Sequence, residues 1–253
     1  MESYCMTESQ LIEAAASKRV LFYGEWIEDV YRYVKPLGRP TKDAILSVML
    51  DAEETFAGGV IAAANHARDL CEKVYANAGG TLYRKVRYVE SSHLHKLFQV
   101  YEPVRMNNAI PMDLKLWDVV VVCDYGHGMV DPVFISQIEA APYLAVNVQT
   151  NSENFGYNLA TKYDHVDYLC VDEPEARLAT QNRKGPIEAS LQILARNATK
   201  VVVTMGKAGA CGYSDLDGFV CVPAFTDSVV DTMGAGDAFF AVTAVLAQEA
   251  DIK

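Results

Sequence analysis

The sequence predicts an α/β protein built on a doubly wound, mainly parallel sheet with helices on both faces and a small β lid. Two observations predict the sheet. Residues 119–123, 143–148, 168–171 and 201–204 are short runs, apolar at odd and even positions alike, as strands covered on both sides must be. Between them lie helical fillers at 132–140, 174–180 and 187–197, which supply the crossovers of a parallel sheet. The lid is predicted by residues 82–101, where β-formers alternate with Arg84, Lys85, Arg87, His93, His95 and Lys96. Such strands have one wet face, and the lid is expected within residues 82–105.

The remaining elements follow in order. Residues 7–17 carry Leu11, Ile12, Ala14 and Ala15 at helical spacing, with Thr7 as N-cap. Val20, Leu21, Phe22 and Tyr23 form a short apolar strand that runs into Gly24. Residues 58–75 are Ala-rich and patterned as a helix opened by Gly58 and Gly59. Near the end, Ala238, Phe239, Phe240, Ala241 and Val242 begin a further helix that continues through Ala247. No internal repeat, low-complexity segment or linker is evident, so residues 1–253 read as a single domain with a lid.

Composition bounds the function. Apolar residues make up 51% and charged residues 22%, which fits a globular chain with a sizeable core. A net charge of −11 argues against a nucleic-acid or anionic-membrane surface. The six cysteines form no C-x-x-C pair and several sit in or beside apolar runs, the pattern of buried reduced thiols in a cytoplasmic protein. No stretch has the form of a signal peptide or a membrane span.

The most informative segment is Asp231-Thr232-Met233-Gly234-Ala235-Gly236-Asp237, placed where a helix begins. Its glycines permit positive φ and leave their own N–H groups uncovered. A helix N-terminus offers unpaired N–H groups and a positive dipole end, which suit a phosphate oxygen. Asp237 would repel that phosphate, unless its task is to take a proton from a hydroxyl attacking it. Upstream, Thr204-Met205-Gly206-Lys207-Ala208-Gly209 follows a strand and is neither a Walker A loop nor a G-x-G-x-x-G turn. Asp172-Glu173-Pro174-Glu175 follows another strand, either as helix-dipole compensation or as a carboxylate that organises a cation through water.

Asp231 to Asp237 is a full match to the D-T-x-G-A-G-D signature, and on it the chain resembles the ribokinase-like (PfkB) carbohydrate kinases. The resemblance implies that Gly234, Ala235 and Gly236 form an anion hole and that Asp237 is the catalytic base. Thr204, Gly206 and Gly209 resemble the family's T-x-G-x-x-G nucleotide segment. Asp172 and Glu175 occupy its N-x-x-E positions, which assigns Glu175 to Mg²⁺ and Asp172 to the nucleotide. Asp29 keeps the second acid of a G-D-x-x-x-D segment, with Glu25 in place of the first, and Gly58 and Gly59 resemble the sugar-binding turn. The lid segments around Arg87 and Lys96 resemble the heptose-phosphate kinases, so both are expected to hold an anionic sugar. There the D-Y-x-K-G and D-P-K lysines are replaced by His127 and Gln149.

The implied activity is ATP-dependent phosphorylation of a sugar or sugar phosphate, with Mg²⁺ and a possible homodimer through the lid. Only sixteen residues follow Asp237, where relatives continue over the adenine, so the chain is expected to be C-terminally incomplete. The alternative is a catalytically impaired sugar- or nucleotide-binding or dimerisation module of the same fold. An NAD-dependent oxidoreductase is disfavoured, since no G-x-G-x-x-G follows the first strand.

Overall fold

The computed structural model describes residues 6–38, 40–79, 82–105, 113–225 and 234–252. Cys5 and the first three residues of the signature turn, Asp231, Thr232 and Met233, lie outside them. The described elements run β1 (Arg19–Gly24), β2 (Trp26–Pro36), β3 (Val48–Gly59), β4 (Lys73–Asn77), β5 (Leu82–Glu90), β6 (Lys96–Arg105), β7 (Val119–Asp124), β8 (Leu144–Val148), β9 (Val166–Asp172), β10 (Ala198–Thr204), β11 (Ala210–Ser214) and β12 (Gly218–Val222). The helices are α1 (Glu8–Ala16), α2 (Val60–Arg68), α3 (Pro132–Ile138), α4 (Glu173–Thr180), α5 (Ile187–Leu194) and α6 (Ala235–Leu246).

Eight strands form one sheet in the order β12-β11-β10-β9-β8-β7-β1-β4. From β4 to β10 every pairing is parallel, and β11 and β12 add an antiparallel end. Alternation along each strand sends side chains to two cores. Leu21, Tyr23, Val120, Val122 and Val146 pack with Phe134, Ala176 and Leu191 of α3, α4 and α5. Val20, Phe22, Val119 and Val121 pack with Ala15, Ala63, Ala67, Phe240 and Ala244 of α1, α2 and α6. Thr7 caps α1 in a reciprocal pair with Gln10, and Asp131 caps α3. Among the described residues no helix is long and apolar enough to cross a membrane.

Three expectations are corrected. The lid is a four-stranded sheet, β3-β2-β5-β6, not a structure confined to residues 82–105. Its strands β2 and β3 carry many acidic residues, poor β-formers on their own, and are held by cross-strand pairs such as Arg32 with Glu53 and Lys35 with Asp51. The helix expected over 58–75 ends at Arg68, and Lys73, Val74 and Tyr75 belong to β4, the edge strand beside β1. The cysteines are not all thiols. Cys211 and Cys221 face each other in the β11–β12 register and form a disulfide, whereas Cys71, Cys123 and Cys170 are buried and free.

Candidate active site

The chain leaves β1 to build the lid and returns to β4 on one side of β1, while β7 lies on its other side. Strand order therefore reverses at the β1–β7 pair, and the crevice outside the carboxyl ends of such strands is where open α/β sheets bind ligands. Every candidate of the core lies at that end. Glu25 follows β1, Tyr125 follows β7, Gln149 and Thr150 follow β8, Asp172 closes β9 and Thr204 closes β10.

Two clefts open there. A cleft of about 400 Å³ lies between lid and core, walled by Asp29, Tyr31, Phe56, Gly58, Gly59, Lys85, Arg87 and Tyr125. A second, of about 240 Å³, is walled by Asn147, Thr150, Asp172, Glu175, Thr204 and Gly236. Gln149, Gly234 and Asp237 line both. The turn expected to bind phosphate thus stands where the two meet.

Gly234 holds φ +75° as the cap of α6 and supplies no capping side chain, so the first N–H groups of the helix are left for another acceptor. Asp237 sits in the first turn of α6. Its Oδ1 accepts from Gln149 Nε2 at 2.8 Å and from Tyr125 Oη at 3.3 Å, and these bonds leave Oδ2 without a partner among the described residues. Burial raises the pKa of Asp237, against the opposing pull of Gln149, Tyr125 and Lys85.

Below the base, Glu25 is fully buried and accepts the N–H groups of Tyr125 at 3.2 Å, His127 at 3.2 Å and Met129 at 3.4 Å. Burial, then Asp124, pushes its carboxyl up to about 7 despite those bonds. His127 is stacked on Tyr83 of the lid at 4.1 Å, and Glu153 bonds both side chains. Burial first, then Lys85, drives the imidazole down to about 4, so it is neutral at pH 7.

On the lid, Asp29 pairs with Arg87, whose guanidinium also lies 5.3 Å from the centre of the Tyr31 ring. Gly58 lets Asp29 approach the backbone, since a Cβ there would stand 2.4 Å from its Oδ2. Lys96 is not part of this arrangement. It begins β6 opposite Val89, four residues beyond the Lys85–Tyr101 pair, and is exposed outside both clefts. Strand geometry carries it away, because the lid runs outward from the core as β6 is followed back to its start.

At the smaller cleft, Asp172 and Glu175 cap α4 reciprocally, and Glu175 also accepts Thr150 N–H at 2.9 Å. Burial and the neighbouring Asp172 raise the pKa of Glu175. Asn147 Oδ1 and Thr150 Oγ1 are buried there without a hydrogen-bond partner. These oxygens suit a hard divalent cation, which takes oxygen ligands and keeps several waters. Among the described residues no three His, Cys, Asp or Glu side chains converge as a metal cluster, so a cation there would also lean on amide and hydroxyl oxygens. Thr204 lines this cleft, whereas Gly206 and Gly209 lie just beyond, opening and closing a 3₁₀ turn.

Lys85, Tyr125 and Gln149 receive no site role from the sequence, where Lys85 is one lid cation among several and Gln149 only replaces an expected lysine. One signal was available for Lys85: it stands two residues before Arg87 on a strand, hence on the same face.

The chain is similar to known proteins in sequence and in fold. Residues 139–253 match the model of the pfkB family carbohydrate kinases. Over 133 residues the chain is 32% identical to the ribokinase of Bacillus subtilis strain 168, a match spanning 52% of this chain and 38% of that protein. The ribokinase of Arabidopsis thaliana, solved with ribose and ATP, superposes with a TM-score of 0.68 at 14% identity, covering 93% of this chain and 88% of its own. Phosphofructokinase-2 of Escherichia coli, solved with fructose-6-phosphate, gives 0.63 at 14% identity, covering 93% and 89%. The chain therefore has the ribokinase-like fold, and its residues 139–253 are similar to the pfkB family carbohydrate kinases, with a match that spans less than half the length of the curated ribokinase.

Proposed function

We propose that this chain is an ATP-dependent carbohydrate kinase that phosphorylates a hydroxyl of a sugar or sugar phosphate. One observation carries the reading: Asp237, Gly234 and Gln149 form the shared wall of two clefts, so a base and an anion-binding helix end meet where a donor and an acceptor would touch. The B. subtilis and A. thaliana relatives are ribokinases, and the latter was solved with ribose and ATP.

In this reading the sugar lies in the larger cleft against Asp29, Gly58 and Gly59, beside the Tyr31 and Phe56 rings. The phosphates lie at the α6 N-terminus, with Thr204 and Asp172 beside them. Asp237 Oδ2 takes the hydroxyl proton as the sugar oxygen bonds to the γ-phosphorus and the bond to the bridging oxygen of ADP breaks. The first N–H groups of α6 receive the charge that develops on the phosphoryl oxygens. Bound Mg²⁺ would supply further charge neutralisation, held through Glu175, Asp172, Asn147 and Thr150. Burial raises the pKa of Asp237 and strengthens it as a base, while the Gln149 and Tyr125 bonds favour its ionised form.

The reading includes a homodimer through the lid. Met49 and Leu50 on β3 and Phe98, Val100 and Val104 on β6 are exposed large apolar side chains, more than a lid covering only its own core requires. Screening ATP consumption over sugars and sugar phosphates tests the activity, with Asp237→Asn as the control. Turnover that is equal in parent and variant, or absent from the parent on every acceptor, would sink the reading.

A further inference from the structure

Strands β2 and β5 carry five cations, and four are committed. Arg32 pairs with Glu53, Lys35 with Asp51, Arg84 with Glu28 and Arg87 with Asp29. Lys85 has no ion pair among the described residues. Its Nζ lies instead 5.7 Å from the centre of the Tyr101 ring and 6.0 Å from that of Tyr125, the ring whose hydroxyl bonds Asp237. Lys85 and Arg87 are the cations on the described walls of the two clefts, and Arg87 is taken by Asp29.

Lys85 is half-buried, and an ammonium partly withdrawn from water without a carboxylate partner is costly unless a partner arrives. The same desolvation lowers the pKa of Lys85, with Asp29 and Asp237 opposing. The face of a ring returns only part of that cost. The missing partner is an anion, and it belongs where Lys85, Tyr125, Asp237 and Gly234 share one wall.

We propose that Lys85 is a catalytic residue delivered by the lid, its ammonium contacting the phosphoryl group as it passes from nucleotide to sugar hydroxyl. The assignment rests on the kinase reading above. In the step, the sugar oxygen–phosphorus bond forms, the bond to the ADP oxygen breaks, and the hydroxyl proton goes to Asp237. Lys85 keeps its own proton throughout and acts by charge. The N–H groups of α6 then approach the phosphoryl oxygens from the core while Lys85 approaches from the lid. It supplies the cation that neither His127, neutral at pH 7, nor Gln149 provides.

The test compares the parent chain, Lys85→Met and Lys85→Arg by calorimetric titration of MgADP with and without aluminium fluoride, a mimic of the transferring phosphoryl group. The parent is expected to bind MgADP more tightly when aluminium fluoride is present. In Lys85→Met, MgADP affinity alone should stay within about threefold while the fluoride-dependent gain falls at least about tenfold, as for a lost charge-assisted contact. Lys85→Arg should retain more of the gain than Lys85→Met. The melting temperature of Lys85→Met should hold or rise, since removing a half-buried, unpaired charge relieves the fold. A full gain in Lys85→Met, or none in a parent that binds MgADP, overturns the assignment and leaves the kinase reading standing. A parent without affinity for MgADP overturns both.

Discussion

Asp237 is placed under opposing influences. Burial favours its neutral form, and the Gln149 and Tyr125 bonds favour the ionised one that a base needs. Asp237→Asn keeps the size and the oxygen that Gln149 and Tyr125 bond, so the fold should survive with nucleotide affinity held or slightly improved. Turnover should drop by about 10²-fold or more, the range of a positioned base, and a variant near the parent rate would reduce Asp237 to a helix-start residue. Gln149→Leu removes a bond to the ionised form. Its acid limb of turnover should therefore move to higher pH than in the parent, and an unmoved limb would detach Gln149 from the base. Glu25 gives a prediction about stability. Its carboxyl holds a proton up to about pH 7 in the fold and releases it near 4.5 when unfolded. The folded state binds more protons in that window, so stability falls as pH rises from about 4.5 to about 7, by roughly 3 kcal/mol in all. Denaturation of Glu25→Gln across this range should lack that slope, whatever its constant loss of one N–H acceptor. Equal slopes in both proteins would show that Glu25 is already ionised in the fold.

At the scale of elements, the join between lid and core is the Gly58–Gly59 pair at the end of β3. Gly59 sits at φ +60° and ψ −140° as the cap of α2, and a Cβ there would stand 2.3 Å from Glu25 O. That oxygen accepts Val60 N–H at 3.0 Å, so it cannot retreat without uncapping α2. Gly59→Ala should cost about 2 kcal/mol or more from backbone strain alone, measured as a fall in the urea midpoint, and an unchanged midpoint would show that this turn accepts a side chain. The core elements were legible in the sequence because their cause is local. Residues 119–123 are apolar throughout and 143–148 at every position but Asn147, and Thr7, Asp131 and Pro132 mark helix starts in one turn of chain. The strands β2 and β3 were not legible. Glu28, Asp51, Glu53 and Glu54 disfavour strands until Arg84, Lys35, Arg32 and Tyr33 lie opposite them, and those partners are fixed only by the fold. The disulfide was hidden for the same reason, since Cys211 and Cys221 meet only once β11 and β12 are in register.

For the whole molecule, the site exists only between the two sheets. Gly234, Gly236 and Asp237 could be read from one short turn, but Lys85, Tyr125 and Gln149 come from three separate segments and share no spacing. The basic character of the lid was plain in the sequence, but most arginines and lysines of β2 and β5 are neutralised by carboxylate partners, which no spacing reveals. Lys96 was overread on that account, since a basic lid segment carries no information about which basic residue reaches the cleft. The same sheet has a second face. Asp29, Tyr31, Lys85 and Arg87 occupy the cleft side in register, whereas Tyr88, stacked on Phe98 at 4.4 Å, and Val100 lie on the other. Phe98 and Val100 are about 45% and 39% exposed, and β3 and β6 are both open edges of the lid sheet. Exposed apolar edges of this kind are covered in stable proteins, and in the proposed homodimer a second lid would cover them symmetrically. Sedimentation of the parent should therefore give twice the mass of the single chain at micromolar concentration. Phe98→Glu places a charge in the middle of that face and should shift the equilibrium to monomer while leaving the melting curve of the core sheet intact. A parent that sediments as a monomer at all concentrations would assign the exposed face to solvent, and a Phe98→Glu variant that remains dimeric would place the interface elsewhere on the chain.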